Sequence, residues 1–120
     1  MRRQHLLSKP VKKKLRNLDP GVLADIVARV VKVAKPDQII LFGSAARGQM
    51  GPDSDVDLLV VKAGRFDRRR LAGDIYMHME GAAEAVDVIL VTPDEVEQYR
   101  DNPWLVIAAA LREGKVVYAA

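Results

Sequence analysis

The chain contains no cysteine and only two histidines, His5 and His78. Disulfides and thiolate metal sites are therefore excluded, and a reducing compartment poses no difficulty. A bound metal would have to rely mainly on oxygen ligands, which favours Mg²⁺ or a similar hard cation over structural zinc. Also missing is any stretch approaching the roughly 20 apolar residues of a membrane span. Leu6-Leu7 gives way to polar and basic residues, not to the apolar run of a secretory signal. A cytoplasmic protein with no membrane association is the expectation. Acidic residues are absent from residues 1–18, which carry a local charge of +7, whereas the rest of the chain carries −4. The basicity thus belongs to an N-terminal extension, 1–18, and the body, 19–120, is mildly acidic. We favour a solvated extension, with nucleic-acid contact through residues 1–18 as the alternative.

What remains is enough for one domain. The chain has 120 residues, nearly half of them apolar, and no visible repeat or linker. Asp19-Pro20-Gly21 opens a helix, with an N-cap candidate and Pro at the first helical position. Val22/Leu23, Ile26/Val27, Val30 and Val33/Ala34 then recur at spacings of three and four, while Asp25, Arg29 and Lys32 take the other face. Gln38–Phe42 and Val56–Val61 are short apolar runs that read as buried strands, joined by a Gly-rich loop with room for one helical turn. Residues 65–80 read as a helix and Ala85–Val91 as a third strand. Thr92 with Glu95 forms a capping box. A last helix is expected from Asn102-Pro103 through Arg112, capped by Gly114, with Trp104 on its apolar side as core or partner interface. Lys115–Tyr118 closes the chain as a short strand. The order describes an α/β (α+β) domain, a small mixed β-sheet flanked by helices. The loop between the first two strands is too short for a helical crossover, so they should run antiparallel.

The chemistry gathers around that loop. Gly43-Ser44 ends the first strand, and Asp55-Val56-Asp57 begins the second, ten residues after Ser44. Residues two apart on a strand share a face, so Asp55 and Asp57 project side by side. Carboxylates that close repel one another unless a cation sits between them. Mg²⁺ commonly binds one or two carboxylates together with substrate phosphates. Asp87 lies within an aliphatic strand, where an ionised side chain is costly unless paired or bound to metal. If that strand lies beside the second, Asp87 can join the pair, and three carboxylates could organise two metal ions. A glycine at the strand end allows close approach of backbone to a phosphate. The Ser44 hydroxyl and nearby N–H groups could bind phosphate oxygens. Arg47 offers a guanidinium for phosphate or for Asp53. With each fixed residue at roughly the 7% frequency of glycine, four together arise by chance about once in 10⁵ positions.

Other motifs fail. An EF-hand beginning at Asp53 would need Gly where Leu58 stands and Glu where Gly64 stands. Gly43-Ser44 is followed by no Gly-Lys-Ser/Thr, so it is not a P-loop. His78 has no partner at metal spacing and reads as a packing or surface residue, and Arg68-Arg69-Arg70 as a solvated helix face.

Leu41-Phe42-Gly43-Ser44-Ala45-Ala46-Arg47-Gly48, followed by Pro52-Asp53-Ser54-Asp55-Val56-Asp57-Leu58-Leu59-Val60, resembles the minimal nucleotidyltransferase (MNT) proteins. These belong to the DNA polymerase β-like nucleotidyltransferase superfamily. The resemblance covers about residues 21–118 and includes the closing Leu111–Tyr118. It implies the polymerase β-like fold, Asp55, Asp57 and Asp87 as catalytic metal ligands, and Gly43 and Ser44 as the triphosphate-binding turn. It further implies ATP as substrate, Mg²⁺ as cofactor (two ions with substrate bound), and transfer of AMP to an acceptor hydroxyl. Many such proteins are antitoxins of a helical HEPN partner, and some modify a tyrosine of that partner. The alternative is a partner-binding module that neutralises a HEPN protein by occlusion. Two departures stand out. Ala45 occupies a position where many relatives carry Arg or Tyr, and the basic extension is unexplained. Oligomerisation is left open.

Overall fold

The computed structural model describes residues 14–120. Helix α1 (Pro20–Ala34) starts where the Asp19 carboxylate accepts the Val22 N–H at 3.1 Å, with Pro20 in its first turn. It stops at Lys35, which takes the left-handed conformation. Strand β1 (Gln38–Phe42) follows, then a single helical turn, α2 (Gly43–Ala46), and strand β2 (Val56–Val61). Helix α3 (Arg68–Met77) is capped by Asp67, whose carboxylate accepts the Arg70 N–H. Strand β3 (Val86–Val91) leads into α4 (Pro93–Tyr99), where the Thr92/Glu95 capping box is fully formed. Helix α5 (Val106–Glu113) and strand β4 (Lys115–Ala119) complete the chain.

The four strands form one mixed sheet in the order β3-β2-β1-β4. The short loop makes β1 and β2 antiparallel, as expected. The longer connection through α3 returns β3 parallel to β2, and β4 lies antiparallel to β1. Alternation along β2 divides the core. Val56, Leu58 and Val60 join Ile39 and Leu41 under Ile26 and Val30 of α1 and Ile75 of α3. Leu59 and Val61 join Ile40, Phe42 and Val91 under Val96 of α4 and Ala110 of α5. Each fully buried leucine of this kind stabilises the fold by about 2 kcal/mol. Asp57 sits on the second face, at the end of β2 nearest the α2 turn.

Two details differ from the sequence reading. The last helix begins at Val106, not at Pro103, because the Asn102 side chain accepts the Trp104 N–H at 3.0 Å and holds a turn there. Trp104 therefore lies outside the helix and is 91% exposed, so it is not a core residue. Most of the basic extension falls outside the described residues, but its end is seated on the body. Arg16 exchanges two backbone hydrogen bonds with Met50, and its guanidinium pairs with Glu84. Among the described residues, no helix is long and apolar enough to cross a membrane.

Candidate active site

Phe42, Asp57 and Asp87 stand directly opposite one another across β1, β2 and β3. Neighbouring strands are about 4.8 Å apart, so two carboxylates in register face each other at close range. Asp57 is half-buried, because β2 is an interior strand. Burial raises its pKa above the usual carboxylate value, and the charges of Asp87 and Asp55 push it further in that direction. Arg47 acts in the opposite sense.

Gly43 is built into the same corner. Its φ of 73° is a conformation that side chains disfavour, and an added Cβ would overlap the Asp57 carboxylate. The glycine thus lets the chain turn tightly over Asp57, a reason additional to approach by a phosphate. Ser44 follows, half-buried. Ala45 and Ala46 anchor the turn in the core. The Ala45 position accordingly packs inward in this chain.

Arg47 is exposed and reaches Gln49 at 3.2 Å and Glu113 at 3.7 Å, rather than Asp53. Asp55 is exposed just before β2, close enough for its charge to act on Asp57. Asp87 corrects an expectation. It is exposed, because β3 is the edge of the sheet, and is not enclosed in the apolar strand as the sequence pattern implied. The sequence also gave no hint of Tyr76. Its hydroxyl donates to Asp87 Oδ1 at 3.2 Å and accepts the Val88 N–H at 2.8 Å. No local pattern distinguishes it from a packing aromatic, since the contact depends on α3 lying along β3. Its own ionisation is pushed up, first by burial, with the negative charges of Asp87 and Asp55 adding to it.

The remaining candidates lie apart. His78 is exposed and its ring Nδ1 meets the Asp74 carbonyl. Arg68 pairs with Glu95 at 2.8 Å and pushes that carboxyl below its usual range.

As they stand, no three acidic or histidine side chains among the described residues converge tightly enough to cage an ion. The donor chemistry nevertheless fits a divalent cation. All donors are carboxylate oxygens, Asp57 and Asp87 are in register, the charges of Asp87 and Asp55 act on Asp57, and among the described residues none of the three forms an ion pair. Asp55, Asp57 and Asp87 would hold such a cation, which would offset the repulsion on Asp57 and supply positive charge to phosphate oxygens.

A mixed sheet with facing aspartates beside a strand-ending Gly-Ser turn has the architecture of a nucleotide-handling transferase domain. Residues 22–117 match the nucleotidyltransferase domain family, and the chain belongs to that family. Solved structures share the fold. A putative nucleotidyltransferase from Sulfolobus solfataricus aligns with 20% identity and a TM-score of 0.56, covering 82% of this chain and 78% of that one. A toxin-antitoxin structure with AMP-PNP aligns with 23% identity and a TM-score of 0.51, covering 80% and 73%. A complex of tri-AMPylated Shewanella oneidensis HEPN toxin with MNT antitoxin aligns with 15% identity and a TM-score of 0.52, covering 82% and 73%. Among curated proteins, none matches this sequence.

Proposed function

We propose that this nucleotidyltransferase moves a nucleoside monophosphate, AMP from ATP, onto a hydroxyl of a HEPN-type protein partner and thereby acts as its antitoxin. The observation that carries the reading is the register of Asp57 with Asp87 beside the Gly43 turn. The resemblance of the Gly-Ser and Asp-x-Asp motifs to MNT proteins, and the shared fold of toxin-antitoxin structures with AMP-PNP and with an AMPylated HEPN toxin, support it.

In this reading Gly43, Ser44 and Arg47 hold the triphosphate, while Asp55, Asp57 and Asp87 hold Mg²⁺. The metal would supply charge neutralisation at the phosphates and at the leaving pyrophosphate. The acceptor hydroxyl attacks the α-phosphorus, a new P–O bond forms, and the bond to the β-phosphate breaks. Asp87 takes the hydroxyl proton. Its exposed place on the edge strand leaves room for an acceptor carried by a large partner. The test is incubation with Mg²⁺, α-labelled ATP and the protein product of the neighbouring gene, the candidate HEPN partner. Label should appear on the partner and fall to background with Asp57→Ala. Absence of transfer by the unaltered protein would overturn the reading.

Neutralisation by occlusion has one observation in its favour, the exposed apolar run Trp104-Leu105-Val106. It predicts that Asp55→Ala leaves neutralisation intact while Trp104→Ala weakens it.

A further inference from the structure

Asp57 is steadied by its surroundings, since it is half-buried on an interior strand and fits over Gly43. Asp87 has no such enclosure. It is exposed on an edge strand, where a carboxylate would ordinarily sample several rotamers. Its only side-chain hydrogen bond among the described residues comes from the Tyr76 hydroxyl, at 3.2 Å. That hydroxyl is itself fixed, because it accepts the Val88 N–H at 2.8 Å, the amide one residue beyond Asp87. The arrangement ties the carboxylate to its own strand through a single phenolic oxygen.

The mounting of Tyr76 is rigid. The preceding residue, Ile75, is fully buried in the core between α1 and the sheet. Just beyond Tyr76, Arg29 of α1 donates to the carbonyls of His78 at 2.9 Å and Glu80 at 2.8 Å, clamping the end of α3. Tyr76 is thus held on both sides in sequence while the residue itself stays 41% exposed at the edge of the sheet.

We infer that Tyr76 is a positioning residue for nucleotidyl transfer: its hydroxyl fixes one oxygen of Asp87, so that the other faces the reacting groups. This rests on the transfer reading above. The chemical logic is that of outer ligands that orient metal-binding carboxylates, whose loss typically lowers metal affinity or activity by about 10–100-fold. A purely structural role, capping the open Val88 amide, would leave the chemistry untouched.

The experiment compares Tyr76→Phe with the unaltered protein, using ATP, Mg²⁺ and the HEPN partner. It adds equilibrium Mn²⁺ binding in the presence of a non-hydrolysable ATP analogue. The expected result is a fall in kcat of about tenfold or more, with KM for ATP unchanged and Mn²⁺ affinity reduced. In an Asp87→Asn background the same change should cost nothing further, because Tyr76 acts only through Asp87. Unchanged kcat in Tyr76→Phe, or an equal loss in both backgrounds, would overturn the positioning role while leaving the transfer reading intact. If the unaltered protein neither transfers label nor binds Mn²⁺ with the nucleotide, the transfer reading falls and the positioning role falls with it.

Discussion

Asp57 and Asp87 occupy matching places on adjacent parallel strands, yet the fold treats them differently. Asp57 stands on an interior strand, half-buried beneath a glycine turn, and its ionisation is opposed by burial and by its neighbours. Asp87 stands on the edge, open to solvent and held by one tyrosine. The contrast suggests a division of work. The enclosed carboxylate suits a fixed metal ligand, whereas the open one can meet an incoming acceptor. It also means that the two should respond differently to substitution.

The largest effect is expected on the enclosed side. Gly43→Ala introduces a methyl group against the Asp57 carboxylate at a positive φ, and should destabilise the protein by about 3 kcal/mol or more. Denaturant unfolding measures this, and a loss below about 1 kcal/mol would show that the turn can relax away from Asp57.

A smaller effect of opposite sign should follow from removing the strained charge. Because the folded pKa of Asp57 is raised, the folded state binds more protons than the unfolded one between the ordinary and the raised values. Stability therefore falls as pH rises through that window and stays lower above it. Asp57→Asn should raise Tm at neutral pH and have little effect at acid pH, where the carboxyl is protonated in both states. Asp87→Asn should gain less, since it relieves only the repulsion exerted on Asp57. Equal gains from the two would erase the distinction between them.

The smallest effect concerns Arg47, whose charge lowers the Asp57 pKa against the other influences. Arg47→Gln should move the Asp57 carboxyl titration still higher, as followed by carboxyl-carbon NMR. A shift in the opposite direction would place the guanidinium elsewhere in solution.

Much of this corner was legible in the sequence because its signals are local. The isoleucine-rich run ending at Gly43 and the apolar run after Asp55 mark β1 and β2 at their observed limits, and the short loop dictates their antiparallel pairing. Asp87 beside Asp57 was the expected outcome of placing β3 next to β2. What escaped depends on contacts distant in sequence. The exposure of Asp87 follows from β3 being the edge strand, which no residue in Val86–Val91 announces. The partnership of Tyr76 with Asp87 requires α3 to lie along that edge. The late start of α5 is a competition between Asn102 as a turn former and Pro103 as a helix starter, which the turn wins.

The most direct test of the central claim is calorimetric binding of a non-hydrolysable ATP analogue with and without Mg²⁺, to the unaltered protein and to Asp57→Ala. Binding that requires Mg²⁺ and is lost in Asp57→Ala is the predicted result. Binding of equal strength without the metal, or undiminished in Asp57→Ala, would contradict the assignment of the facing aspartates as a metal-nucleotide site.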